Sequence, residues 1–290
     1  MLSSILIATD ASDASDQVID CVRGLRRLGS RKAVLVHAIN VRRVGGVYAT
    51  LKQSATPKLE QQKQRLEAAG FEVRIEICRG SPVREINRLA REHRCALVVA
   101  GSHGETLAPE MKLGATAHAI LQNVKLPILL IRLEIDEGGT GRRCQGPCEG
   151  LFGHILHPTD FSDVAERAFR YLGNVVRKTK CAVILLHVQD KGKIHPHLQH
   201  KLAEFNRNDH ERLECRRAAL LKRGASKVNI EIPYGSPTGL IVERSQKGGC
   251  SMILMGTQGR GYLRELFLGS VSHNVARQSP LPVLFVPALR

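Results

Sequence analysis

Residues 255–271 read M-G-T-Q-G-R-G-Y-L-R-E-L-F-L-G-S-V and follow directly on the apolar run Ser251–Met255. Gly256, Gly259 and Gly269 punctuate the stretch, with two residues between the first pair, nine between the second, and Ser270 opening a helical pattern. A glycine turn that joins a strand to a helix suits an anion, because glycine lets the backbone approach closely and the first helical N–H groups have no intrahelical acceptor. Arg260 adds a fixed positive charge and Ser270 a hydroxyl at places a polyphosphate uses. The spacing is neither G-x-x-x-x-G-K-[ST], absent from the chain, nor the dinucleotide pattern G-x-G-x-x-G.

The same pattern occurs a second time, as Gly101-x2-Gly104-x9-Gly114. Around it, Ile5-Leu6-Ile7-Ala8-Thr9-Asp10 matches Ile155-Leu156-His157-Pro158-Thr159-Asp160, and Val34-Leu35-Val36-His37-Ala38 matches Ile184-Leu185-Leu186-His187-Val188, both at an offset of 150. Gly80-Ser81-Pro82 matches Gly235-Ser236-Pro237 at an offset of 155, so the second half carries a net insertion of five residues between these points. Leu126–Ile131 matches Leu281–Val286. The chain is a duplicated domain.

Within each half, short apolar runs alternate with longer amphipathic stretches, which predicts an α/β fold of βαβ units on a parallel sheet. Strands are expected near 3–9, 33–39, 72–78, 96–100 and 127–132, and again near 153–158, 182–188, 227–232, 251–255 and 282–286. Helices are expected at 16–28, 56–69, 83–93 and 115–123, with Ser12 or Asp13 as the first cap and Pro82 opening the third. Five strands per half make a doubly wound sheet. Ligands in such sheets sit beyond the carboxyl ends of the strands, where strand order reverses.

The paired loops closely resemble the G-x2-G-x9-G-[ST] nucleotide loop of the universal stress protein family, and the resemblance covers nearly the whole chain, twice. It implies two tandem Rossmann-like (adenine nucleotide alpha hydrolase-like) domains, residues 1–135 and 151–290, with a linker at 136–150 and strand order 3-2-1-4-5 in each. Strands one and four then flank the reversal. In that family the acidic residue after the first strand and backbone at the end of the second hold the adenine end of a nucleotide, while the glycine loop holds ribose and phosphates. On that pattern Asp160 and Val188 address the adenosine part, and Gly256, Thr257, Gly259, Arg260, Gly269, Ser270 and Val271 line the rest. The weaker first-domain set is Asp10, Ala38, Gly101, Gly104 and Gly114, because Ala115 stands where Ser270 stands and Glu105 replaces Arg260. A carboxylate there opposes an anion.

The resemblance therefore implies ATP, ADP or AMP bound chiefly in the second domain, with magnesium as a companion ion, in a stress-response module whose occupancy biases conformation or the binding of a protein partner. It also implies that Leu126-Pro127 and Leu281-Pro282 open edge strands that pair two domains, giving an internal pseudo-dimer with a homodimer as a further option. A slow ATPase or autophosphorylating protein stays open, although no general base is identifiable. So does a nucleotide-free interaction protein with a basic, anion-binding surface.

Composition narrows the classes further. The 290 residues carry a net charge of +16, but Trp is absent, Tyr and Phe number 4 and 7, and no aromatic interleaving supports a nucleic-acid platform. The basic residues, among them Arg212, Arg216, Arg217, Lys222 and Arg223, read as a solvated face. No apolar run reaches the ~20 residues of a membrane helix, and the N-terminal M-L-S-S-I-L-I-A-T-D reads as a first strand in a cytoplasmic protein. Cys21, Cys95, Cys181 and Cys250 read as buried free thiols, and Cys144 and Cys148 as inert linker thiols, with a redox pair or half a metal site ahead of His154 and His157 as the alternatives. His195, His197 and His200 read as a polar surface segment rather than a metal site, and His37 and His187 as strand-end packing.

Overall fold

A computed structural model of the chain describes residues 3–40, 45–103, 113–135, 142–144, 150–259 and 268–288. It divides into two units, residues 1–149 and 150–289, each built on its own set of parallel strands. Among the described residues no helix is long and apolar enough to cross a membrane.

The first unit runs β1 (Ser4–Ala8), α1 (Asp13–Val22), β2 (Lys32–Ile39), α2 (Gly45–Ala68), β3 (Glu72–Arg79), α3 (Pro82–Glu92), β4 (Leu97–Gly101), α4 (Ala115–Asn123) and β5 (Ile128–Ile131), followed by a short antiparallel hairpin of β6 (Leu133–Ile135) and β7 (Arg142–Cys144). The second runs β8 (His154–Pro158), α5 (Asp163–Thr179), β9 (Ala182–Leu186), β10 (Gln189–Asp190), α6 (Lys191–Ile194), α7 (Leu202–Lys222), β11 (Val228–Glu231), β12 (Tyr234–Gly235), α8 (Pro237–Gln246), β13 (Met252–Gly256), α9 (Ser270–Gln278) and β14 (Val283–Val286).

Strand order is β3-β2-β1-β4-β5 in the first unit and β11-β9-β8-β13-β14 in the second, all parallel. That is the expected 3-2-1-4-5 arrangement. Strands covered on both faces need apolar side chains at successive positions rather than alternate ones. Ile5, Leu6 and Ile7 of β1, Val183, Ile184 and Leu185 of β9, and Met252, Ile253 and Leu254 of β13 accordingly have no exposed surface.

The departures from the expected elements have local causes. Helix α2 starts at Gly45 rather than near 56 and carries Pro57 inside it, since proline removes one helical N–H without forcing a start. Strand β9 ends at Leu186, two residues early, because the chain leaves the main sheet and Gln189–Asp190 pairs instead with Tyr234–Gly235. The hairpin β6–β7 falls at the expected linker. Strand β7 packs against α1. Cys21 on α1 is disulfide-bonded, which corrects its reading as a free thiol: an apolar, buried setting suits a half-cystine as well as a thiol. Cys95, Cys181 and Cys250 are free and buried, and burial pushes all three thiols up in pKa. The side chains of Cys144 and Cys148 lie outside the described residues.

His157 of β8 is fully buried, where the matching residue of β1 is Ile7. Its Nδ1 lies 2.7 Å from the Leu254 carbonyl oxygen and its Nε2 has no hydrogen-bond partner. Burial pulls its pKa down from 6.5 to about 4, the carbonyl opposes this in part, and Arg216 adds repulsion. The unfolded chain thus takes up a proton near pH 6.5 that the fold refuses until about pH 4. Stability supplied by the neutral imidazole is present above pH 6.5 and drains as pH falls toward 4, by roughly 3 kcal/mol at about 1.4 kcal/mol per pH unit. Urea midpoints measured from pH 7.5 to 4.5 are expected to fall more steeply for the wild type than for His157→Leu; parallel slopes would refute this account.

Candidate functional site

The site begins with a four-residue turn that both units share, Thr9-Asp10-Ala11-Ser12 after β1 and Thr159-Asp160-Phe161-Ser162 after β8. Its third residue is left-handed in each case, φ 61° at both Ala11 and Phe161, a conformation that costs a non-glycine residue about 1–2 kcal/mol. Side chains hold it there. The Phe161 N–H donates to Thr159 Oγ1 at 3.1 Å, and the Ser162 N–H and hydroxyl donate to Asp160 Oδ1 at 3.1 and 2.6 Å. Ser162 Oγ then accepts from the Ala165 N–H, capping α5. The first unit repeats every bond, with Ser12 as the cap of α1.

A histidine at the end of the neighbouring strand closes the turn. His187 Nδ1 lies 2.8 Å from the Thr159 carbonyl oxygen, and His37 Nδ1 3.1 Å from that of Thr9. A carbonyl only accepts, so these nitrogens carry the proton. Strand-end packing was thus an incomplete reading of both residues.

The glycine loop meets this turn. A Cβ added to Gly259 would stand 2.6 Å from Asp160 Oδ2, so the residue after β8 and the loop after β13 lie against one another across the strand-order reversal. Gly256 is just as confined, its added Cβ falling 2.9 Å from Val164 Cγ1 and 3.2 Å from the Val164 carbonyl oxygen. The Gly269 N–H donates to the Thr257 carbonyl at 2.7 Å, pinning the far end of the loop to its start, and the Ser272 hydroxyl reaches the Gly256 carbonyl at 3.0 Å. Gly269 is the N-cap of α9 and, among the described residues, no side-chain hydrogen bond caps that helix, with Ser270 exposed at its first position.

Of the other expected residues, Thr257 is buried, Val271 is half-buried in the first turn of α9, and Val188 is half-buried in the connection between β9 and β10. Arg260 lies outside the described residues. In the first unit the Gly114 N–H donates to the Ser102 carbonyl at 2.9 Å, the same loop-closing bond, and Ala38 stays inside β2. Gly101 is packed by Leu133, Val18 and the His103 carbonyl, each 3.0–3.2 Å from an added Cβ. Asp10 is exposed, Ala117 stands where Ser272 stands, and Gly104 and Glu105 lie outside the described residues.

Helix α7 contributes residues that the repeats do not point to. Arg212 and Arg216 place their guanidinium carbons 3.8 and 4.4 Å from the centre of the Phe161 ring, which also lies 4.6 Å from that of His187. Arg216 pairs with Glu166 and its side chain is only 12% exposed, so it does not belong to a solvated basic face. The basic residues of α7 were legible as charges; their stacking partner was not, since Phe161 is 51 positions away from Arg212. His195, His197 and His200 are exposed between α6 and α7, and among the described residues no group of three or more His, Cys, Asp or Glu gathers to hold a metal ion.

Two segments, residues 1–132 and 151–287, match the profile of the Universal stress protein family. Universal stress protein MJ0577 of Methanocaldococcus jannaschii is 32% identical over 158 residues, covering 47% of this chain and 95% of its own length. A universal stress protein of Mycolicibacterium smegmatis is 24% identical over 304 residues, which span 97% of this chain and 96% of the relative. The crystal structure of a universal stress protein from Archaeoglobus fulgidus aligns over 98% of both chains with a TM-score of 0.75 at 24% identity, and shares the fold.

Because Val164 is held at the start of α5, Gly256→Ala must push that helix away from β13. Overpacking of this kind costs about 1–3 kcal/mol. The urea midpoint of the variant is expected to drop accordingly, and an unchanged midpoint would show that the contact yields freely.

Proposed function

Since the chain belongs to the universal stress protein family, we propose that it binds an adenine nucleotide in its second unit and that occupancy biases its conformation or its hold on a protein partner during stress. In this reading the domains are residues 1–135 and 151–290 around a linker at 136–150. Asp160 and the backbone of Val188 address the adenosine part. Gly256, Thr257, Gly259, Arg260, Gly269, Ser270 and Val271 line the ribose and phosphates, and ATP, ADP and AMP all suit that set.

The observation that carries the reading is the contact between Gly259 and Asp160, an added Cβ falling 2.6 Å from the carboxylate. It joins a hydrogen-bonding carboxylate to a glycine backbone, and the start of α9, capped by no side chain among the described residues, closes the same loop at Gly269. Adenosine and polyphosphate need these two chemistries side by side. A magnesium ion accompanying the phosphates would find a protein oxygen at Ser270, exposed at the first position of α9.

The first unit keeps the turn and the loop closure but has Ala115 in place of the hydroxyl and Glu105 in place of the arginine. We assign it little or no affinity for a triphosphate.

Denaturing freshly purified protein and identifying the released small molecules by mass spectrometry tests the reading. The wild type is expected to release roughly one adenine nucleotide per chain, or to take up ATP when it is offered, and Gly259→Asp to do neither, because its side chain meets the Asp160 carboxylate and adds a second negative charge. A wild type that releases no nucleotide and takes up no ATP would favour the nucleotide-free interaction protein instead.

A further inference from the structure

Val188 is flanked by two side chains that converge on one oxygen atom. His187 Nε2 lies 3.3 Å from Asp209 Oδ2, and Gln189 Nε2 donates to that same oxygen at 3.2 Å. Asp209 sits on α7, 20 positions beyond Gln189, with its side chain 16% exposed. The backbone is fixed at both neighbours as well: the His187 N–H donates to the Glu231 carbonyl at 3.0 Å and the Gln189 N–H to the Pro233 carbonyl at 2.9 Å. Among the described residues no hydrogen bond engages the peptide groups of Val188 itself. A short stretch is thus held on either side of one residue whose N–H and C=O no described residue claims.

The first unit lacks the arrangement. Ile39 stands where Gln189 stands and is buried, so it offers no donor, and Ala38 lies inside β2 in register with Cys78. Among the described residues no acidic side chain pairs with His37. The contrast between the units at this point is independent of the glycine loops.

We propose that Asp209 is a positioning residue for the base end of the nucleotide site, acting through His187 and Gln189 to hold the backbone of Val188 in place. The inference rests on the adenine-nucleotide reading above. A peptide N–H and C=O held at fixed spacing match the acceptor and donor on the pairing edge of adenine, whereas guanine presents the opposite order, so the clamp bears on which base is accepted. Because His187 Nδ1–H is already committed to the Thr159 carbonyl, Nε2 is the ring nitrogen left to face Asp209.

Calorimetric titration of the full chain with ATP, GTP and inorganic tripolyphosphate, beside thermal unfolding, tests this. Asp209→Ala is expected to weaken ATP binding roughly tenfold or more and to narrow the preference for ATP over GTP, with tripolyphosphate affinity and melting temperature unchanged. Asp209→Asn, which still offers Gln189 an acceptor but removes the charge facing His187, is expected to fall between the two and provides the readout if the alanine variant does not fold. Equal ATP affinity in the wild type and both variants overturns the proposal. So does a parallel loss of ATP and tripolyphosphate binding with a lowered melting temperature, which marks a purely structural role. A wild type that binds no ATP overturns the nucleotide reading itself, a result distinguishable from the others before any variant is made.

Discussion

The second unit depends on one left-handed residue. With Phe161 at φ 61°, the chain leaving β8 reverses sharply, turning the Asp160 carboxylate toward the glycine loop while presenting Ser162 to cap α5. A bulky residue does not adopt that conformation unaided. Thr159 and Asp160 hold it from within the turn, His187 ties down the preceding carbonyl, and Arg212 and Arg216 stack against the ring. Strand, helix cap and carboxylate are therefore set by one local geometry, and the sheet order brings the glycine loop to it.

Duplication kept the turn and changed its surroundings. In the first unit the buried Gln62 of α2 accepts from the Thr9 hydroxyl at 2.9 Å and donates to Ser15 and Asp16, while Lys58 and Arg65 of the same helix pair with aspartates of α1. In the second unit the equivalent cover is α7, which brings arginines, an aspartate and an aromatic stack. Buried polar groups must be satisfied in either design. In the second unit the two neighbours of Val188 are clamped, and among the described residues no hydrogen bond engages its own peptide groups.

The fold was legible because it rests on period and repetition. Apolar runs at matching offsets and Pro82 and Pro237 at helix starts each act within a few residues, and they reappear in the structure as strands and helix starts. What remained hidden depends on contacts between distant segments. The T-D-x-S repeat was visible at an offset of 150, but its left-handed third residue is no property of alanine or phenylalanine. His187 showed as a repeated strand-end residue, and only the approach of α7 gives its second nitrogen a partner. Strand β9 was read two residues too long because its apolar pattern continues through Val188 while its register pairing with β8 and β11 ends at Leu186. The disulfide at Cys21 likewise left no mark in the apolar pattern around that residue.

His157 gives the two halves of this duplicated chain different tolerances to acid. Ile7 fills the same place in β1 with nothing to titrate, so the cost of a buried imidazole falls on one sheet only. A falling pH therefore loosens the half that carries the intact glycine loop while leaving this position of its twin untouched. One matched core position thus gives one half of the chain, and not the other, a side chain that answers to acidity.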